Sequence, residues 1–361
     1  MQIEINMPKS CRVALERLRE KGFEAYLVGG CVRDSILGRE PEDWDICTDA
    51  LPEELIEIFA DYRLVLNGLK HGTVTVIILH RTIEITTYRI DGEYEDNRHP
   101  KEVTFTADLA QDLSRRDFTI NALAYNEESG LVDCFGGLED LEHGLIRAVG
   151  NPVKRFHEDG LRILRAVRFA CVLGFDYEKE TKEAVIKCNF LLRNIATERI
   201  QVELNKILLS ANVRQGLEDL YHLGLYPYFL PEMCHTYGFE QHNPFNCYDV
   251  FEHIVRSTEL IEAELVLRLT MLLHDIGKPF VWRECFEGND CFPEHELPSA
   301  EIAAEFLDRL HYDRKTSKEV IKLILAHNDH LLPEDYNIRL ELNKMGADSL
   351  RRLLKVKCAD M

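Results

Sequence analysis

The 361-residue sequence predicts an α+β first part, a β-sheet with flanking helices, followed by an all-α remainder. Two observations lead there. Strand-like runs rich in β-branched residues all fall before about Gly150: AYLV at 25–28, HGTVTVIIL at 71–79 and TIEITTYR at 82–89. Beyond it, apolar residues recur at helical spacing, as in Ile163, Leu164, Val167 and Ala170. At this length the chain can build two or three domains with sizeable cores.

Pro8 to Lys21 reads as an amphipathic helix, with Val13, Leu15 and Leu18 on its apolar side and Gly22 as its stop. Ala25 to Val28 reads as a buried strand. Gly29 and Gly30 follow, and then Val32, Ile36 and Leu37 at helical spacing. Strand, Gly pair and helix form a phosphate cradle: the glycines admit close backbone N–H approach, and a helix N-terminus favours negative charge. Arg33 adds a fork of donors for the same phosphates. In the run 42–46, EDWDI, a strand's period of two puts Asp43 and Asp45 on one face and Trp44 and Ile46 on the other. Two carboxylates side by side repel one another and call for a cation; beside a phosphate site, hard oxygen ligands suit Mg²⁺. A Gly pair alone, or an Asp-x-Asp alone, would be an ordinary strand–turn–helix with surface acids. Both together, with Arg33 between them, are more specific.

Pro52 stands at the first position of the next helix, with acidic residues in its first turn. The two β-branched runs form a strand pair. Glu84 on the second is either a third acid near the metal or, more commonly for such a residue, an exposed strand Glu. Arg89 to Thr106 is polar and charged without periodicity, so a mobile loop is expected. In DLSRRDFTINALAY, 112–125, Ser114 is expected to cap a helix that packs through Phe118, Ala122 and Leu123. Arg116 in its first turn is then a triphosphate or ribose contact, against the blander reading of a solvated charge cluster. A strand and turn from Val132 close the first domain near Gly150.

In FHEDGLRILRAVRF, 156–169, Asp159, Arg162, Arg165 and Arg168 recur every three residues and wind slowly around a helix. A solvated salt-bridge face is the usual meaning of such a band. Base chemistry favours another. Cytosine and adenine each present an exocyclic amino donor beside a ring-nitrogen acceptor, while uracil and guanine present a carbonyl beside an N–H. A carboxylate next to a guanidinium complements the first pair, so Asp159 with Arg162 could select C and A. The stretch from Gly174 to Tyr228 is helical, with Glu198, Arg199 and Glu203 assigned to scaffold or RNA contact.

The last third carries a second chemistry. His253 lies in a helix, His274-Asp275 in LLHDIGK, His295 before another helix, His327 in LILAHNDH, and Asp360 in KCAD. Imidazoles with carboxylates suit a divalent transition metal that activates water for phosphoester hydrolysis. A helical RNA-contact domain that merely contains histidines is the alternative.

Composition sets limits. The formal net charge of −20 argues against a general nucleic-acid binder but permits local basic patches. Arginines 155, 162, 165 and 168 make one, and Arg351, Arg352, Lys355 and Lys357 another. No apolar run of about 20 residues is present, so no membrane span is expected. The N-terminus is not a signal peptide. Eleven scattered cysteines without a C-x-x-C pair read as reduced thiols of a cytoplasmic protein.

The pattern GG-x-VRD, a spacer and D-x-D resembles the catalytic signature of the nucleotidyltransferase superfamily. LVGGCVRDSILGR, RRDFTINALA and Glu158-Asp159-Gly160-Leu161-Arg162 are most similar to class II tRNA CCA-adding enzymes and the bacterial poly(A) polymerases related to them. The histidine and aspartate series resembles an HD domain. The resemblance implies a nucleotidyltransferase head at 1–150, a helical neck with a base-reading motif and RNA-binding region at 151–235, and an HD domain at 236–361. Helical register still runs at Met361, so the HD domain is expected to be truncated there. The implied activity is Mg²⁺-dependent addition of C, C and A to the tRNA 3′ end from CTP and ATP. The implied roles give Asp43 and Asp45 to catalysis and Mg²⁺, and Gly29, Gly30, Arg33, Arg116, Asp159, Arg162, Arg165 and Arg168 to the nucleotide. His253, His274, Asp275, His295 and Asp360 fall to a further divalent metal. The 89–106 loop is implied in switching nucleotide specificity. Three alternatives stay open: a poly(A) polymerase or A-adding enzyme, an HD-type metal-dependent phosphohydrolase, and a tRNA-binding module without activity. The sequence does not fix the oligomeric state.

Overall fold

The computed structural model describes residues 3–92, 103–242, 247–285, 289–331 and 335–361, including the side chains of all but 91, 335 and 336. Two units form: Met1–Arg162 with Phe175–Cys188, and Ile163–Gly174 with Asn189–Met361.

In the first unit, helix α1 (Lys9–Glu20) buries Cys11, Ala14 and Leu18, while Val13 and Leu15 of the expected apolar side are only half-buried. Strand β1 (Ala25–Val28) is buried at all four positions, as its unbroken apolar run requires. Helix α2 (Gly30–Ile36) follows directly. Strand β2 (Asp45–Thr48), helix α3 (Pro52–Ile58) and strands β3 (Arg63–Val65), β4 (Thr73–Ile78) and β5 (Arg81–Thr87) come next. The two-residue turn between β4 and β5 holds Leu79 at φ 50° and His80 at φ 62°. Both values match the left-handed backbone that tight hairpins use.

Strands β6 (Arg89–Asp91) and β7 (Val103–Phe105) pair antiparallel, so the ends of the expected loop form a ladder. Its middle, 93–102, lies outside the described residues. Helix α4 (Leu109–Ser114) is capped by Asp108, whose side chain accepts from the Ala110 N–H at 2.8 Å. Ser114 therefore ends a helix instead of opening one. Phe118, Ala122 and Leu123 are buried as expected, but on a turn and a strand. Polar side chains hold that turn open: Thr119 donates to Asp140 at 2.5 Å and Asn121 to Asp117 at 3.0 Å. Strand β8 (Leu123–Asn126) then takes a place between β1 and strand β9 (Gly130–Asp133). The seven-stranded sheet runs β3-β4-β5-β2-β1-β8-β9, with only β2 and β5 parallel.

Helix α5 (Gly137–His143), strand β10 (Leu145–Ile146), helix α6 (Pro152–Glu158), helix α7 (Leu161–Leu173), strand β11 (Asp176–Tyr177) and helix α8 (Lys179–Cys188) follow, β10 and β11 pairing in parallel. Helix α7 starts in the first unit, and its residues from Ile163 group with the second.

The second unit is helical: α9 (Thr197–Leu208), α10 (Val213–His222), α11 (Val250–Leu260), α12 (Leu265–Leu273) and α13 (Lys278–Val281), a short hairpin of β12 (Arg283–Glu284) and β13 (Asp290–Cys291), then α14 (Glu296–Arg309), α15 (Arg314–Ala326), α16 (Asp335–Met345) and α17 (Ala347–Asp360). Leu350 and Leu353 of α17 pack with Leu323 and Ala326 of α15, and Val356 packs with Leu267 and Met271 of α12. That apolar seam seats Asp360 at the end of α17.

The hairpin corrects one expectation. Cys285 and Cys291 form a disulfide, their Cα atoms 5.9 Å apart. The antiparallel ladder, which sets Arg283 opposite Cys291, brings the two within bridging range. The other nine cysteines are free thiols, Cys31 and Cys47 buried among them. Among the described residues, no helix is long and apolar enough to cross a membrane.

Candidate active site and metal centre

The strand–Gly–Gly–helix segment forms as the sequence requires. Gly29 sits at φ 79°, and a Cβ there would come within 3.2 Å of Arg116 Nη1. The glycine thus serves both a left-handed backbone and the close approach of a guanidinium. Arg33 is buried. It donates to Asp34 through Nε and Nη2, both at 2.9 Å, and to Asn121 Oδ1 at 2.6 Å. Asn121 in turn is held by Asp117.

Arg116 lies just after the C-terminus of α4, not in a first helical turn. It pairs with the buried Asp112 at 3.3 Å, and Asp112 also takes Arg115 at 2.7 Å. Burial raises the Asp112 carboxyl, but the two guanidinium groups outweigh it and bring it below the usual range. Arg116 Nε is buried with no hydrogen-bond partner. A donor left over in this way is what an anionic ligand would satisfy.

Strand β2 begins at Asp45, the last residue of the Asp-x-Asp motif, yet the alternation holds. Trp44 and Ile46 are buried, Asp43 is exposed and Asp45 is half-buried. Asp45 stands opposite Glu84 across the parallel β2–β5 pair. Burial pushes the Asp45 carboxyl up to about 6; Glu84 and Asp43 add to the shift and Arg116 opposes it. Asp45, with the Glu84 and Asp43 carboxylates beside it, offers a set of oxygen donors that a small hard cation fits.

The 151–162 segment docks on Ser114 and Arg115. Asn151 caps α6, and α6 ends at Asp159 in extended backbone. Asp159 Oδ1 accepts from the Leu161 N–H at 3.1 Å and starts α7. Arg162 is buried. It donates to Glu158 Oε2 and to the Arg115 carbonyl, both at 2.8 Å, and to the Arg155 carbonyl at 3.2 Å. Arg155 reaches the Ser114 carbonyl at 3.1 Å. In the second unit, Arg168 pairs with the buried Glu203 at 2.7 Å, and Arg165 lies 3.9 Å from the same carboxylate. Both guanidinium groups lie over the Phe169 ring. The first unit thus brings together Gly29, Gly30, Arg33, Arg116, Asp43 and Asp45, and separately anchors Asp159 and Arg162. Sequence reading missed the anchors Asn121, Asp112 and Glu158 and gave Glu203 no role toward the arginines. Only their acid or amide chemistry beside the motifs hinted at them.

The second unit gathers its histidines and aspartates into two groups that share Asp275. One is His253, His274, Asp275 and Asp360; the other is Asp275, His295 and His327. His253 Nε2 lies 3.0 Å from Asp360 Oδ1 and 3.2 Å from Asp275 Oδ2. His295 Nε2 lies 3.1 Å from Asp275 Oδ1, and His327 Nε2 3.7 Å from it. Each carboxylate oxygen of Asp275 therefore faces a different group. His274, His295 and His327 bond through Nδ1 to the carbonyls of Met271, Phe292 and Ile324, at 2.7, 2.9 and 2.6 Å. These bonds fix the ring tautomer and leave Nε2 for a metal. Lys278 Nζ lies 2.6 Å from Asp275 Oδ2 and donates to Gln241 at 2.9 Å. A Cβ on Gly277 would meet the Ser299 N at 2.5 Å and the His295 carbonyl at 2.7 Å, so the glycine lets the His295 turn close on Asp275. Burial favours the neutral form of His253, but Asp275 and Asp360 outweigh it and push its pKa up to about 9.

The chain matches three family descriptions in order: Poly A polymerase head domain over residues 25–147, probable RNA and SrmB-binding site of polymerase A over 174–236, and HD domain over 243–360. The CCA-adding enzyme of Bacillus stearothermophilus, solved with CTP, superposes with a TM-score of 0.76 and 31% identity, over 98% of this chain and 78% of that one. The chain belongs to the CCA-adding enzyme family. Curated CCA-adding enzymes of Ligilactobacillus salivarius and Levilactobacillus brevis are both 49% identical, over 62% and 63% of this chain and 55% and 57% of their own length. The chain thus spans about half the length of the curated relatives it matches. A tRNA nucleotidyltransferase solved with a primer tRNA and an incoming ATP analog, 24% identical with a TM-score of 0.68, shares the fold over 94% of this chain and 93% of that one.

Proposed function

We propose that this chain adds C, C and A to the 3′ end of tRNA, using CTP and ATP in the cytoplasm. The observation that carries it is the convergence of Asp43, Asp45, Gly29, Arg33 and Arg116 at one end of the sheet, in a family whose relatives are named for this reaction. We assign 1–150 to the catalytic head, 151–235 to base reading and RNA binding, and 236–361 to the HD domain. Asp43 and Asp45 would hold Mg²⁺, which would supply a Lewis acid for the RNA 3′-hydroxyl and the α-phosphate. Gly29 and Gly30 admit the triphosphate to the backbone, and Arg33 and Arg116 neutralise it. Asp159 accepts from the exocyclic amino group of C or A, and Arg162 donates to the ring nitrogen beside it. Arg165 and Arg168 support that segment. The test supplies labelled CTP and ATP, singly and together, to a tRNA lacking its terminal CCA. Incorporation of both, ending after one A, fits the proposal. ATP alone, added once or repeatedly, would make the chain an A-adding enzyme or a poly(A) polymerase.

A second reading concerns the second unit. The two His/Asp groups around Asp275 favour a transition-metal phosphohydrolase site, with His253, His274, Asp275, His295, His327 and Asp360 as ligands. Such a metal, when bound, supplies an activated water. Hydrolysis of 2′- or 2′,3′-cyclic phosphates, assayed across several divalent metals, tests it.

A further inference from the structure

The hairpin beside the metal groups is closed by the Cys285–Cys291 disulfide, and the residues next to Cys291 reach the metal groups by two routes. The first is short. Phe292 follows Cys291, and its carbonyl is the acceptor that fixes His295 Nδ1 at 2.9 Å. The second runs through Asp290. Its carboxylate accepts from the Trp282 indole at 2.8 Å and from the His242 N–H at 2.8 Å, and Asp290 N donates to the His242 carbonyl at 2.9 Å. His242 follows Gln241, and Gln241 holds Lys278 on Asp275. The Phe292 ring also lies under the Lys278 ammonium, 5.5 Å away. The ladder that carries all of this is only two residue pairs long, Arg283 with Cys291 and Glu284 with Asp290. Two pairs do not hold a hairpin in water by themselves. The covalent cross-link adds to the Asp290 hydrogen bonds as a constraint on that turn.

We propose that Cys285 and Cys291 are a redox-sensitive lock on the Phe292–His295 turn and on Lys278. Formed, the disulfide holds His295 and Lys278 in place around Asp275; reduced, it frees both. The proposal rests on the metal-site reading of the second unit. Both cysteines are half-buried and within reach of small molecules. The oxidant is a small-molecule disulfide. One cysteine thiolate attacks it, forming a mixed disulfide and releasing one small thiol; the second thiolate then displaces the second small thiol. The cysteine sulfurs lose two electrons, the small disulfide gains them, and the two cysteine protons end on the released thiols.

The test uses the full chain, oxidised with glutathione disulfide or reduced with a phosphine, and a Cys285→Ser/Cys291→Ser variant that cannot close. Mn²⁺ alone is titrated into each form, carried on an Asp43→Ala/Asp45→Ala background so that only the second-unit groups report, after exchange into reagent-free buffer. Amide hydrogen exchange is followed over residues 289–299. Oxidised protein should bind Mn²⁺ about tenfold more tightly than reduced protein, the loss usual when a histidine ligand's outer partner is freed. Exchange over 289–299 should quicken on reduction, and the serine variant should behave as reduced whatever the reagent. Equal Mn²⁺ affinity and equal exchange in the two forms overturn the lock and leave the metal reading standing. Absence of Mn²⁺ binding in every form overturns the metal reading and the lock's effect on it. The exchange data then still decide whether the disulfide orders the turn.

Discussion

Asp45 and Glu84 face one another across the sheet's parallel β2–β5 pair, and the Asp45 carboxyl is held at about 6 chiefly by burial and then by Glu84. Its folded value lies above the ordinary carboxylate range. The folded protein thus binds the proton more tightly than the unfolded chain, and stability falls as pH rises from about 4 through 6. Without a cation, ionised Asp45 is a cost at neutral pH. Asp45→Asn should stabilise the protein in EDTA at pH 7–8 by on the order of 1–2 kcal/mol after discounting its partial exposure, read as a raised Tm, and should give no gain at pH 3.5. The same variant, and Asp43→Ala, should abolish nucleotide incorporation while tRNA binding stays near wild type. Activity surviving either change at ordinary Mg²⁺ would remove that residue from the metal site.

Arg162→Ala and Asp159→Ala should relax the choice of base as well as slow CTP and ATP, since a bidentate base contact is worth roughly 1–3 kcal/mol of discrimination. The measurement is kcat/KM for all four nucleotides on one tRNA primer. A common fall for all four would mean that these residues only position phosphates.

His274→Ala or Asp275→Ala should remove any metal-dependent phosphatase or phosphodiesterase activity and spare nucleotide incorporation. In chelated wild type, His253 carries a proton in place of the metal, with a folded value of about 9 against an unfolded one near 6.5. That contribution is complete below about pH 6.5 and is lost as pH rises through 9. Tm in chelator should therefore decline over that window, and His253→Ala should flatten the decline.

Gly277→Ala places a methyl group within 2.5–2.7 Å of the Ser299 backbone and the His295 carbonyl. Overpacking of this kind costs about 1–3 kcal/mol. Mn²⁺ binding at the Asp275 groups should be lost with it, while nucleotide incorporation, which uses the Asp43 and Asp45 site, persists. Unchanged Mn²⁺ affinity would mean that the His295 turn can retreat without loss of the site.

Leu79 and His80 occupy left-handed backbone that bulky residues resist. Replacing the pair by Asn-Gly, the residues this turn prefers, should stabilise the first unit by about 1–2 kcal/mol, read as a raised midpoint in urea, without changing incorporation.

The elements best read from sequence were those whose pattern is local. Ala25–Val28, the Gly pair and the Asp-x-Asp alternation all depend on neighbours in the chain, and each stands where its spacing put it. The 112–125 segment was misread because a helical spacing of Phe118, Ala122 and Leu123 also suits a turn feeding a strand, and the Asp117 and Asp140 bonds that decide it span from 4 to 21 residues. The histidines of the second unit were legible as ligand types. That Asp275 offers one oxygen to each of two groups depends on five separate helices and their ends. The disulfide was hidden because Cys285 and Cys291 have the spacing of no standard motif, and a two-rung ladder gives little periodic signal.

Arg162 is not idle at rest: Glu158 takes its Nη1 at 2.8 Å, and the Arg115 and Arg155 carbonyls accept from the same fork. If Arg162 reads the base as proposed, a base edge must displace one of these acceptors to reach it. Selection then becomes an exchange of partners. An incoming cytosine or adenine returns an acceptor for the one displaced; a base that presents a donor at that position evicts Glu158 and returns nothing. On that proposed role, rejection would be built into the unliganded protein, because the wrong base would have to compete with a carboxylate that is already in place.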